Sequence, residues 1–149
     1  MRLVTYRDSI EAAARLGAVV DDLVIDVSAR DNRRAGQWIY SRGQGTYAPF
    51  GPCIVTSDEI GDPHALDLWL TVNGVEKQRS NTRHMLFKVP LLISDISAAI
   101  TPEPGDIIAA GTPDGVGAGR NPREWPWPGD VVEAEVAGIG RLRHPVVAV

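Results

Sequence analysis

The chain has 149 residues, 44% apolar and 23% charged, a size and composition that fit one globular domain with a single core. A formal net charge of −4, with Lys77 and Lys88 as the sole lysines, excludes a surface built to neutralise many phosphates, so no nucleic-acid partner is expected. No apolar run approaches the roughly 20 residues of a membrane span, Arg2, Arg7 and Asp8 break up any leader, and Cys53 has no second cysteine to pair with, so a cytoplasmic protein without a membrane partner is expected.

Leu3-Val4-Thr5-Tyr6 opens the chain as an apolar run, and Ala18-Val19-Val20 with Leu23-Val24-Ile25 around Asp21-Asp22 predicts a tight hairpin. Residues 1–25 are therefore read as a short amino-terminal hairpin segment. From Ser28 to Pro49, charges and Gly36, Gly43 and Gly45 destroy both the strand and the helix period, which predicts loop. Arg30, Arg33 and Arg34 lie there, either as a solvated loop or as partners for a carboxylate. Cys53, within Phe50-Gly51-Pro52-Cys53-Ile54-Val55 and without a neighbouring histidine, reads as a buried small hydrophobe rather than a nucleophile.

Apolar residues alternate from Leu66 to Val72, and Asn73-Gly74 before Val75-Glu76-Lys77 predicts a two-residue hairpin turn. Pro90 opens an amphipathic helix to Ile100, with Leu92, Ile93, Ile96 and Ile100 on one face and Thr101-Pro102 as its stop. Pro-Gly-Asp occurs at Pro104-Gly105-Asp106 and again at Pro128-Gly129-Asp130. Each is expected to turn the chain into a strand, Ile107-Ile108-Ala109-Ala110 and Val131 to Val136. Ala137-Gly138-Ile139-Gly140 then predicts a turn into a final strand through Val146 to Val149. The proline-interrupted run Arg123-Glu124-Trp125-Pro126-Trp127-Pro128 excludes regular structure, and its tryptophans are expected to cover the core edge or a partner.

The chemistry concentrates in Gly111-Thr112-Pro113-Asp114-Gly115-Val116-Gly117. Glycines let backbone approach a ligand closely, and the Thr112 hydroxyl both donates and accepts, a combination that holds a small anion; a glycine-rich turn with no ligand is the alternative. Glu133-Ala134-Glu135 is the one Glu-x-Glu in the sequence and would share a strand face, expected to be solvated surface rather than a metal site. His64, His84 and His144 form no Ser, His and Asp constellation and read as surface or structural.

In order and spacing, a series of runs resembles the carboxy-terminal catalytic module of the fumarylacetoacetate hydrolase family. They are Asp26-Val27-Ser28-Ala29-Arg30-Asp31, Gly36-Gln37-Trp38, Ala48-Pro49-Phe50-Gly51-Pro52, Val72-Asn73-Gly74, Gln78 with Asn81-Thr82, Met85-Leu86-Phe87, Pro104-Gly105-Asp106, Gly111-Thr112-Pro113 with Gly115-Val116, and Gly129-Asp130-Val131-Val132. The resemblance implies a mainly β, α+β fold with few helices, a partial mixed β-roll over residues 26–149. It implies Mg²⁺- or Mn²⁺-dependent hydrolysis or decarboxylation of a short 2-oxo or β-diketo acid, in a homodimer. Carried over residue by residue, it makes Asp26 the metal ligand, Arg30, Gly111, Thr112 and Pro113 the substrate contacts, and Thr112 with Arg42 the catalytic pair.

The chain departs from the family pattern at four points. The Glu-x-Glu ligand pair upstream of Asp26 is missing, as if by a large internal deletion, and so is the His-x-x-Glu element, since the first histidine is His64. Arg42 stands where a lysine is usual, and Arg33 replaces a glutamine; both add permanent positive charge. One carboxylate gives Mg²⁺ little advantage over its hydrated state, so weak metal binding is expected. Two readings of Asp26 stay open, a ligand or merely the last residue of the hairpin strand. Two readings of the chain also stay open: a metal-dependent enzyme, or a catalytically inactive truncated member that binds a small acid or self-associates. Strand edges exposed by such a deletion favour the dimer.

Overall fold

Alternating apolar residues from Leu66 to Val72 and from Val131 to Val136 demand two strands, each with one apolar face. The computed structural model, which describes residues 47–147, sets them side by side. Strands β1 (Asp67–Val72), β2 (Val75–Asn81), β3 (Val131–Val136) and β4 (Gly140–Pro145) form one antiparallel sheet in the order β2-β1-β3-β4. Among the described residues two α-helices accompany it, α1 (Ser57–Ile60) and α2 (Val89–Ser97). No described helix is long and apolar enough to cross a membrane.

The β1–β2 turn is the one Asn73-Gly74 dictates: Asn73 has φ 51° and Gly74 φ 77°, the left-handed pair a two-residue hairpin needs. Asn73 also ties this turn to the start of β3. Its backbone N–H donates to Val131 O at 2.9 Å, its Oδ1 accepts from Val131 N at 2.9 Å, and its Nδ2 donates to Asp130 Oδ1 at 2.8 Å.

Register places Leu68 opposite Val136, Leu70 opposite Ala134 and Val72 opposite Val132, so these side chains share one face. That face holds the buried core of Leu68, Val132, Ala134 and Val136, with Leu66, Leu70, Val72, Ile139, Leu142 and Val146 packed around it. The other face is polar: Glu135 pairs with Arg141 at 2.7 Å, Glu133 lies 3.8 Å from Arg143, and the Arg79 guanidinium sits 5.5 Å from the Trp69 ring centre.

Below the sheet, the buried Thr82 hydroxyl accepts from Leu66 N at 2.9 Å, while Thr82 N donates to Leu66 O at 2.8 Å, closing the far end of the hairpin. His64 is structural: its Nε2 accepts from Val89 N at 3.1 Å, satisfying one N–H at the start of α2, where no side chain of the N-cap residue does so. His84 lies at 3.4 Å from Ser80 Oγ through Nδ1. Cys53 is half-buried, with its thiol donating to Ile139 O at 3.0 Å, so it contributes a hydrogen bond where a wholly apolar role was expected.

Three expected elements differ. The Pro104-Gly105-Asp106 turn forms, with Asp106 N donating to Glu103 O at 3.0 Å, but Ile107–Ala110 pairs with no described strand. Their β-prone composition favours extended backbone, but the outer edges of β2 and β4 carry no described strand, and this run pairs with neither. Strand β4 ends at Pro145, opposite the first residue of β3; Val146 still donates to Asp130 O at 2.8 Å and accepts from Gly129 N at 2.9 Å, and Ala148 and Val149 of the expected strand lie outside the described residues. Helix α2 stops at Ser97; Ile100 N still donates to Ile96 O at 2.9 Å, but the Ile100 side chain is 65% exposed instead of facing inward. The hairpin expected in residues 1–25 and the loop expected to Pro49 lie, up to residue 46, outside the described residues.

Candidate active site

A bulge in β2 prepares the site. Leu70 faces Gln78 but Thr71 faces Glu76, so Lys77 is an extra residue on β2 with no partner of its own in the β1 register, and its carbonyl accepts from outside the sheet. Arg120 takes that carbonyl through Nη2 at 2.6 Å and reaches Gly115 O through Nε at 3.1 Å. Beside the bulge, Gln78 projects from the same face as Leu70 and directs its amide nitrogen at the Gly111-Thr112-Pro113 loop. Nε2 lies 2.9 Å from Pro113 O, 3.1 Å from Asp114 O and 3.2 Å from Thr112 Oγ1. Thr112 is thus held by β2, not by its own loop alone.

From Gly111 to Trp127 the chain forms a strap along β2. Missing side chains allow it: a Cβ on Gly115 would collide with Lys77 O, and one on Gly117 with Glu124 O. Glu124 N donates to Gly117 O at 3.1 Å, and the Glu124 carboxylate receives Lys77 Nζ at 2.7 Å. The Lys77 ammonium holds the Glu124 carboxyl below the usual carboxylate range, with Arg120 adding a smaller pull at 3.7 Å. The strap ends at a turn in which Asp130 N donates to Trp127 O at 2.9 Å and Asp130 Oδ2 accepts from Trp127 N at 2.7 Å. That backbone N–H and the Asn73 amide lower the Asp130 pKa.

Between strap and sheet lies a cavity of about 680 Å³. Leu70, Val72 and Val132 form its floor, Trp125 and Trp127 an aromatic side, and Thr112, Lys77 and Arg123 supply polar groups. The tryptophans therefore border a cavity and remain accessible, Trp125 at 39% and Trp127 at 70% exposure, rather than sealing the core edge. This arrangement can take a small molecule with an apolar body and an anionic end.

Of the residues picked out from sequence, Gly111, Thr112 and Pro113 come together here with Gln78; Asp26, Arg30 and Arg42 lie outside the described residues. Glu133 and Glu135 are on the opposite face, each against arginine, as a solvated strand surface should be. Among the described residues no group of three or more His, Cys, Asp or Glu side chains converges as a metal site. Those residues do not fit a divalent cation. Sequence reasoning missed Gln78 and Arg120 as site-building residues. A bulge is invisible in composition, and Gln78 entered the sequence reading only as part of the family resemblance, with Asn81-Thr82 and with no role attached.

The profile of the fumarylacetoacetate (FAA) hydrolase C-terminal family matches residues 22–147. The chain belongs to that family. It is 44% identical over 139 residues to 2,4-didehydro-3-deoxy-L-rhamnonate hydrolase of Sphingomonas sp. strain SKA58, covering 91% of this chain and 48% of that protein. The fumarylacetoacetate hydrolase of Exiguobacterium antarcticum superposes with TM-score 0.75 at 39% identity, over 83% of this chain and 45% of the other. Maleylpyruvate hydrolase of Sphingobium sp. SYK-6, solved with manganese(II) and pyruvate, gives 0.66 at 35%, over 76% and 40%. The sheet and its few helices therefore have the family's fold, and the chain spans about half the length of the curated relatives it matches.

Proposed function

We propose that the chain binds a short 2-oxo or β-diketo acid beside Gly111-Thr112-Pro113 and cleaves it by hydrolysis or decarboxylation. The observation that carries this reading is the Thr112 hydroxyl, held by Gln78 at the rim of a cavity with an apolar floor. A hydroxyl and neighbouring amides placed in advance receive a carboxylate or the oxyanion that develops when the carbon–carbon bond breaks. Arg30 would pair with the acid and Arg42 would stand near the reacting carbons. A divalent cation, Mg²⁺ or Mn²⁺, enters this reading through Asp26 and through the manganese-bearing relative; the described residues supply no ligand set, and no step is routed through it.

Oxaloacetate or an acylpyruvate, followed by absorbance with Mg²⁺ or Mn²⁺ titrated in, tests the reading. Turnover that Thr112→Val abolishes supports it. A folded sample with neither turnover nor millimolar binding overturns it.

A second reading has its own observation. The one Glu-x-Glu is engaged by Arg141 and Arg143, away from the cavity, so nothing described replaces the usual carboxylate pair. An inactive member that binds a small acid without turning it over would show saturable binding and no product. We also propose a homodimer, supported by Leu86, Phe87 and Leu91, which are at least half exposed. Light scattering that gives a monomer mass at all concentrations would remove that part.

A further inference from the structure

The Asn73-Gly74 turn is also a reactive pair. Gly74 carries no Cβ, so its backbone nitrogen is open to the Asn73 side chain. Attack of that nitrogen on Cγ expels the side-chain amide as ammonia and closes a succinimide ring. Water then opens the ring at either carbonyl and leaves aspartate or isoaspartate, with no other co-reactant. Both residues are exposed and nothing lies within 4 Å of a Cβ at Gly74, so water reaches the turn.

The fold opposes the first step. Asn73 Oδ1 accepts from Val131 N at 2.9 Å and Nδ2 donates to Asp130 Oδ1 at 2.8 Å, which holds the side chain toward the start of β3. Carrying Cγ onto the Gly74 nitrogen draws both atoms away from these partners, so the reaction waits on a local opening. Asp130 also accepts from Trp127 N at 2.7 Å, and the same clasp thereby joins the hairpin turn to the end of the strap. After the reaction the clasp cannot re-form as it was. A carboxylate has no hydrogen to give Asp130, and its oxygen would stand against a second carboxylate. Isoaspartate also adds a methylene to the main chain inside a two-residue turn that sets the β1–β2 register.

We infer that Asn73 is a latent deamidation site, restrained by its clasp to Asp130 and Val131, and that its conversion unlatches the strap from the hairpin. Asn73, Asp130 and Trp127 all line the cavity, so the new charge lands on the cavity wall. The inference is independent of any ligand.

Two measurements on the full chain test it. In the first, samples are held at mildly alkaline pH, folded or in urea, and the tryptic peptide of residues 43–77, in which Asn73 is the sole asparagine, is weighed and fragmented over time. Asn73 should gain one mass unit in urea and do so about tenfold or more slowly in the folded chain, and folded Asp130→Ala should recover about tenfold of that rate. Equal rates in urea and in the folded chain, or an Asp130→Ala rate equal to the wild type, overturn the inference. If Asp130→Ala does not fold, Asp130→Asn, which cannot serve both Asn73 Nδ2 and Trp127 N, takes its place with the same two outcomes.

In the second, Asn73→Asp is compared with the wild type by ¹H–¹⁵N NMR. The Trp127 and Trp125 indole signals should move while that of Trp69, on the opposite face, keeps its position. Unmoved strap indoles in Asn73→Asp overturn the unlatching. If that variant does not fold, wild-type chain aged until Asn73 has converted gives the same reading.

Discussion

The sheet and the strap are built by different physics. In the sheet, register follows from local turn chemistry and an apolar stripe: Asn73-Gly74 fixes one hairpin, and Leu68, Val132, Ala134 and Val136 bury together. In the strap, Gly111 to Trp127, no ladder exists; shape comes from side chains reaching backbone, Arg120 to Lys77 O and Gln78 to Pro113 O, and from the room left where Gly115 and Gly117 lack a Cβ. The first kind of structure tolerates changes that keep the pattern. The second fails at single atoms, and it is the second that carries the candidate site.

Breaking the sheet should cost most. Leu68→Ala removes a nearly buried side chain between β2 and β3 and should lower stability by about 2–5 kcal/mol, with all probes in urea unfolding shifting together. Gly117→Ala attacks the strap alone. Its methyl would overlap the Glu124 carbonyl, so about 1–3 kcal/mol is expected, read as displaced Trp125 and Trp127 indole signals while β1 and β3 amides keep their positions. If the sheet amides move as much as the indoles, strap and sheet are one cooperative unit.

Gly74→Ala sharpens the contrast from the other side. Nothing lies within 4 Å of a Cβ there, so only the φ of 77° opposes it, at about 1 kcal/mol. That loss should appear in the midpoint of sheet unfolding and leave the strap unmoved.

The smallest effect joins the two regions at Asp130. Its carboxyl has a lowered pKa through Trp127 N–H and the Asn73 amide, so the contribution is present above the unfolded pKa of about 4 and is lost as pH falls through the lower folded value. Between about pH 6 and about pH 2, urea midpoints of the wild-type chain should fall more steeply than those of Asp130→Asn; parallel curves would exclude the linkage.

How much was legible follows from the same contrast. Asn73-Gly74, the alternation around Leu68, Pro90 as a helix start and Pro128-Gly129-Asp130 as a strand start are short-range signals, and each appears in the structure where the pattern put it. Glu133 and Glu135 could be read as surface because alternation in β3 gave the inward positions to Val132, Ala134 and Val136. Ile107–Ala110 misled because β-propensity carries no information about whether a run meets a pairing partner. The reach of Gln78 to Thr112 and the Arg120 bond to Lys77 O join residues 34 and 43 apart in sequence, and no local pattern encodes such contacts. Thr112 itself was legible through its glycine-rich setting; what holds it was not.

The most direct test is a ¹H–¹⁵N NMR titration of the whole chain with oxalate and Mg²⁺. The expected result is saturable displacement of the Gly111, Thr112 and Asp114 amides and of the Gln78 side-chain NH₂, abolished in Thr112→Val while the sheet signals stay in place. Displacement that survives Thr112→Val, or that falls on the Glu133–Arg143 face, would contradict a small-acid site at the threonine loop.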